Sequence, residues 1–192
     1  MPKITAGTVR EHREQMDARL VDVAERLLRT GGVDALTAGA VTAEAGIARN
    51  SLYRYVGSID DLRTRVLMRY LPAWMDQVVA AVSGEDDPKQ AVLTYVRVNL
   101  EQAAATGHGW LIAMARGLGS DARADVAGSH DDLARLLGTQ VMALDPEAPR
   151  LTVGILQGIV EAGFARLDAG DPADLVVPRS VAATAAVLDS LV

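Results

Sequence analysis

The chain contains no cysteine, which removes disulfides, thiol nucleophiles and thiolate metal sites together. Histidine is scarce: His12, His108 and His130 lie far apart, and none falls in an H-E-x-x-H pattern. There is no Gly-x-Ser-x-Gly elbow and no P-loop. Gly117-Leu118-Gly119 opens like a dinucleotide fingerprint, but no strand pattern precedes it and no third glycine follows in place. Catalysis has little to stand on, so a non-enzyme without cofactor or metal is expected. No apolar run approaches the ~18–20 residues that span a bilayer. The polar start MPKITAGTVREHREQ lacks the apolar stretch of a secretion signal. These absences predict a soluble, cytoplasmic protein with no membrane partner.

Strand-like alternation is missing as well, and helical spacing takes its place. Hydrophobic residues make up 49% of 192, enough for a core without staples and too many for a disordered chain. Leu20, Val23, Ala24, Leu27 and Leu28 recur at the spacing of an amphipathic helix, and Gly31-Gly32 stops it. Thr37 is placed to cap a second helix that Ala45-Gly46 ends. A third runs from about Ala48 to Tyr55. Ser58 and Asp61 form a capping box for a long fourth helix toward Val82, in which Pro72 predicts a kink. Five further helical blocks cover roughly 88–105, 108–117, 121–143, 147–169 and 178–191. The expected fold is all-α, with about nine helices.

The stretch from Thr37 to Leu62, TAGAVTAEAGIARNSLYRYVGSIDDL, carries the functional signal. Its second short helix holds Arg49, Asn50, Ser51, Tyr53, Arg54 and Tyr55 within seven positions. Arginine and an amide suit base edges in a major groove, and hydroxyl and phenol groups suit phosphates. A merely solvated helix face is the competing reading, with only Leu52 and Val56 buried. The charge is local. Residues 1–65 hold ten Lys and Arg against nine Asp and Glu; the remainder holds nine against sixteen, and no acid occurs from Gly46 to Tyr55. This is a neutral-to-basic head on an acidic body, not a polycation.

A three-helix head with an A-G-I turn, a Y-x-Y recognition helix and G-S-x-D-D-L opening a long helix resembles the TetR family of regulators over about residues 15–65. The resemblance implies a helix-turn-helix DNA-binding domain over 1–65 and a ligand-binding and dimerisation domain over 66–192. It implies a homodimer on a pseudo-palindromic double-stranded DNA operator, acting as a ligand-responsive repressor. By position Arg49 and Asn50 correspond to the family's base readers, and Thr37, Ser51, Tyr53 and Tyr55 to its phosphate clamps, with Arg54 serving either role. Lys3, Arg10 and Arg13, on an expected flexible arm, add backbone or minor-groove contacts. The sequence departs from the family at Ile59, where lysine is usual, at Ala48, where a capping hydroxyl is common, and at Val56, where phenylalanine is common. Those departures leave an alternative: a small-molecule-sequestering dimer with a weakened DNA head.

In the body, Met68, Trp74, Met75, Tyr95, Trp110, Met114 and Phe164 suit the wall of a cavity for a small lipophilic effector, with Asn99 and Gln157 as polar contacts. Simple core packing is the competing reading for each. His108 would be a further polar contact there, but a lone histidine between Gly107 and Gly109 reads more readily as a loop residue. Gly154, Gly158 and Ala162 recur every four residues and let two helices approach closely. With Val181, Ala185 and Leu188 of the last apolar run, they would form the dimer interface the family uses.

Overall fold

Leu20, Val23, Ala24 and Leu28 are all buried on one side of α1 (Ala6–Ala35), as their spacing demands. The computed structural model describes residues 6–116 and 118–191, and among them it contains nine α-helices and no strand. Gly32 interrupts α1 at φ 69°, ψ −167°, a conformation that only glycine adopts without strain. Arg10 and Arg13 lie inside α1, not on an arm, while Lys3 falls outside the described residues.

Thr37, in extended conformation, accepts the Ala40 N–H at 3.1 Å and so starts α2 (Ala38–Ala45). Gly46, at φ 67°, ends it. The Gly46 and Ile47 amides bond back to the carbonyls of Ala43 and Thr42, a paired closure that satisfies two otherwise orphaned acceptors. Regular helix in α3 covers only Arg49–Leu52, shorter than the expected run to Tyr55. Arg54 and Tyr55 continue in tighter i−3 bonds to Ser51 and Leu52, and Tyr53 sits at ψ 0°. The tightened turn is followed by Val56, which is buried like Leu52. α4 (Ile59–Ser83) runs on through Pro72, which lies exposed within the helix.

The chain divides into two compact units. One comprises the chain through Arg69 together with Ile112–Ala122, and the other Tyr70–Leu111 with Arg123–Val192. In the first, α1 packs on α2 and α2 on α3.

In the second, α5 (Pro88–Thr106) opens with Asp87 accepting the Gln90 N–H and Pro88 in the first turn, and Gly107 closes it at φ 89°. α6 (His108–Ala115) and α7 (Ser120–Leu144) are each divided between the two units, and α8 (Pro149–Asp168) and α9 (Ala173–Asp189) belong to the second. α9 starts five residues before the expected 178, with Pro178 inside it. The carbonyl that Pro178 leaves without a helical donor belongs to Asp174, an exposed residue. α5, α8 and α9 pack mutually around Leu100, Leu156, Val160 and Leu188, joined by Trp74, Val78 and Val82 of α4. Gly163 is the tight point: a Cβ there would meet Leu100 Cδ2 at 2.6 Å, so α8 lies close over α5.

Candidate nucleic-acid interface

The α2–α3 pair is a helix-turn-helix whose turn is set by Gly46. Leu52 is the sole buried residue of α3. Arg49 and Asn50 are exposed, Ser51 is half-buried, and Tyr53 keeps 54% of its surface in solvent. Of the two tyrosines, Tyr55 is the one turned partly inward. The Arg54 guanidinium donates to Ser51 Oγ at 3.2 Å and lies 5.9 Å from the centroid of the Tyr55 ring. Arg13 of α1 reaches the Arg54 carbonyl at 3.5 Å. Thr37 is exposed, so its hydroxyl caps α2 and still faces solvent. These side chains present cationic, amide and hydroxyl groups on one short segment, with a buried leucine as its anchor.

The departures noted in the sequence have structural counterparts. Ala48 occupies the N-cap of α3 and makes no side-chain cap bond. Val56 is 2% exposed and fills its place in the head core. Ile59 is half-buried in the first turn of α4.

The junction of α3 with α4 holds a cluster that helical periodicity does not reveal. Ser58 Oγ accepts the Asp61 N–H at 2.9 Å, as a capping box requires, but the Asp61 carboxylate reaches Gly57 N–H at 2.8 Å, one residue before the expected Ser58. The same carboxylate takes two bonds from Arg65, Nε at 3.1 Å and Nη2 at 2.9 Å, and Arg65 Nη2 also donates to the Tyr55 carbonyl at 3.3 Å. Burial pushes the Asp61 carboxyl up. The Arg65 bonds and charge and the Gly57 amide outweigh it and hold the group below the usual carboxylate range. The signal in the sequence was an i, i+4 acid–base pair opening in the first turn of α4.

In the second unit Trp74, Tyr95, Asn99 and Phe164 come together. Trp74 Nε1 donates to Asn99 Oδ1 at 3.0 Å, Asn99 Nδ2 donates to the Tyr95 carbonyl at 2.9 Å, and Phe164 meets Trp74 edge-on at 6.2 Å. Burial pushes the Tyr95 hydroxyl up to about 12. His108 opens α6 instead of lying in a loop. It stacks on Phe164 at 4.0 Å and lies 3.2 Å from Asp168, which also accepts the Gly109 N–H. Trp110 packs edge-on against Tyr70, and Met75 and Gln157 are half-buried in the same unit. Met68 and Met114 belong to the first unit.

On α8, Gly154, Gly158 and Ala162 are exposed, beside Leu151 at 66% and Ile155 at 44%, and Leu175 of α9 stands out at 49%. Val181 and Ala185 are half-buried. Leu188 is 4% exposed and packs in the core of the second unit, because that face of α9 is turned toward α5 and α8. An open groove of about 570 Å³ runs between α8 and α9, lined by Ile159, Arg166, Leu175, Val176, Arg179 and Ser180. Among the described residues no helix is long and apolar enough to cross a membrane.

Residues 20–66, from the buried Leu20 of α1 to Val66 of α4, match the family model of bacterial regulatory proteins of the tetR family. An uncharacterized HTH-type transcriptional regulator of Mycobacterium tuberculosis is 28% identical over 146 residues, covering 76% of this chain and 62% of that protein. The chain thus matches less than two thirds of that relative's length. A second HTH-type transcriptional regulator of the same organism is 36% identical over 62 residues, 32% of this chain and 26% of the relative. The crystal structure of a TetR-family regulator from Streptomyces coelicolor shares the fold, with a TM-score of 0.72 over 98% of this chain and 97% of that one, at 17% identity. With its Gly46 turn and exposed Arg49–Tyr55 segment inside the matched region, the head of the chain, residues 20–66, is similar to the helix-turn-helix domain of bacterial regulatory proteins of the tetR family.

Proposed function

We propose that the chain is a ligand-responsive repressor that binds a pseudo-palindromic DNA operator as a homodimer, with residues 1–65 reading DNA and 66–192 binding effector and partner subunit. The observation that carries this is the exposure of Arg49, Asn50, Tyr53 and Arg54 around a single buried anchor, Leu52. A merely solvated face would mix signs, and this one has no acid from Gly46 to Tyr55. Arg49 and Asn50 read base edges, since arginine bonds guanine and asparagine bonds adenine through two atoms each. Thr37, Ser51, Tyr53 and Tyr55 hold phosphates, and Arg54 joins them. Two such segments related by a two-fold axis require half-sites one helical turn apart, ~34–36 Å, or a multiple.

The partner subunit covers the α8–α9 face, where Leu151, Ile155 and Leu175 stand in solvent beside the smooth strip Gly154–Gly158–Ala162. Val181 and Ala185 flank this face. The effector is a small lipophilic molecule that enters the second unit at Trp74, Met75, Tyr95, Asn99, Trp110, Gln157 and Phe164. It need only prefer the DNA-incompetent dimer by about 1–3 kcal/mol. The test is selection of bound duplexes from a random DNA pool, followed by a salt titration on the winner. An enriched pseudo-palindrome supports a dimeric sequence reader. Weak, salt-sensitive binding without enrichment refutes it and leaves the sequestering dimer.

A further inference from the structure

We propose that Asp61 and Arg65 form a positioning couple that fixes the end of the recognition segment on α4, so that base discrimination by Arg49 and Asn50 depends on them. The inference rests on the DNA-binding reading above.

Regular helix in this segment is four residues long, too short to hold itself in water. Its N-cap, Ala48, contributes no side-chain bond. Leu52 and Val56 anchor it by burial, but apolar contacts are non-directional and leave its tilt loosely set. Direction comes from hydrogen bonds, and at its C-terminal end, beside the longer bond from Arg13 to the Arg54 carbonyl, those flanking Val56 come from two side chains. Asp61 takes the Gly57 amide at 2.8 Å, Arg65 takes the Tyr55 carbonyl at 3.3 Å, and the pair is joined by a two-bond fork. The backbone on both sides of Val56 is thereby tied to the first turn of α4. Neighbouring Asp60 takes no part, being paired with Arg63. Both members of the couple are about one-third exposed, so as an ion pair alone they contribute little. Their value lies in the backbone groups they orient. A misplacement of about 1 Å at the segment's end is enough to spoil bonds between Arg49 or Asn50 and base edges, whose donor–acceptor window is only a few tenths of an ångström wide.

The test uses the full chain carrying Asp61→Ala, Arg65→Gln, Arg65→Lys or the pair Asp61→Ala/Arg65→Gln. Affinity is titrated against salt on the selected duplex and on a random duplex of equal length. Amide exchange at Gly57 is followed without DNA. The couple predicts that each single variant loses roughly tenfold on the selected duplex and little on the random one. The double variant is no weaker than either single, Arg65→Lys fails like Arg65→Gln because lysine has no fork, and Gly57 exchange speeds up in Asp61→Ala. Tighter binding of Asp61→Ala to both duplexes would mean simple relief of charge repulsion and overturn the proposal. So would a salt slope lowered by about one unit in Arg65→Gln, the mark of a direct phosphate contact. If the unaltered chain prefers no duplex, the DNA reading fails by itself, and Gly57 exchange still decides the couple: unchanged protection in Asp61→Ala refutes it. Arg65→Lys serves the affinity arm if Asp61→Ala does not fold.

Discussion

The Trp74 indole and the Asn99 amide satisfy each other inside the second unit: Nε1 donates to Oδ1 at 3.0 Å, and Asn99 Nδ2 passes the chain on to the Tyr95 carbonyl. Asn99 is 2% exposed and Trp74 8%, so neither bond is shared with water. An effector that uses Asn99 must therefore open this pair. Replacing Asn99 by Ala strands a buried indole donor and leaves a small void, with an expected loss of about 2–3 kcal/mol in urea unfolding. Unchanged stability would show that the pair is dispensable and free to serve a ligand.

Tyr95 makes the same cluster sensitive to alkali. Burial disfavours its phenolate and raises the folded value to about 12 from 10.0. A raised folded value gives stability that is complete below the unfolded value and lost as pH rises through the folded one. The second unit should thus weaken between pH 10 and about 12, by about 2–3 kcal/mol. Tyr95→Phe should flatten that part of the pH–stability curve. An identical curve in Tyr95→Phe would assign the alkaline loss to other groups.

The head was the more legible half of the sequence, because its boundaries are written in local chemistry. Thr37, Gly46 and Ser58 each act within three or four residues of where they stand, and the structure gives each the capping or closing bond that its type implies. Arg65 was legible only as the i, i+4 partner of Asp61. Its reach to the Tyr55 carbonyl spans ten residues and depends on how α4 departs from the turn. The body was legible only as helices. The block expected to begin at 178 begins earlier, because α9 runs through Pro178 and the residue whose carbonyl loses its partner, Asp174, is exposed. The inward turn of Leu188 is set by packing on α5, which no periodicity within α9 could specify without knowing its partners.

Gly46 tests the turn directly. Its φ of 67° is the left-handed region, and a Cβ there would lie 3.6 Å from Arg19 Nη2. Space is adequate, so strain alone is at issue. Gly46→Ala should cost about 1 kcal/mol of head stability. Thr37→Ala should cost a similar ~1 kcal/mol through the lost cap. The two act at opposite ends of α2 and share no partner, so their effects on thermal unfolding should add. A clear departure from additivity would mean that the helix ends are coupled.

Gly158 offers a clean separation of fold from assembly. A Cβ placed there meets nothing within 4 Å, so Gly158→Leu does not crowd its own subunit. Across a two-fold seam the same side chain would prise two α8 helices apart, because the exposed strip is smooth only while Gly154, Gly158 and Ala162 remain small. If this face is the dimer seam, light scattering should report a smaller species for Gly158→Leu than for the unaltered chain, with helical content unchanged by circular dichroism. Operator affinity should fall steeply, since a monomer grips one half-site and loses the second as an intramolecular contact. A dimer of unaltered stability would move the interface off this face of α8, and exposed Leu151, Ile155 and Leu175 would need another occupant.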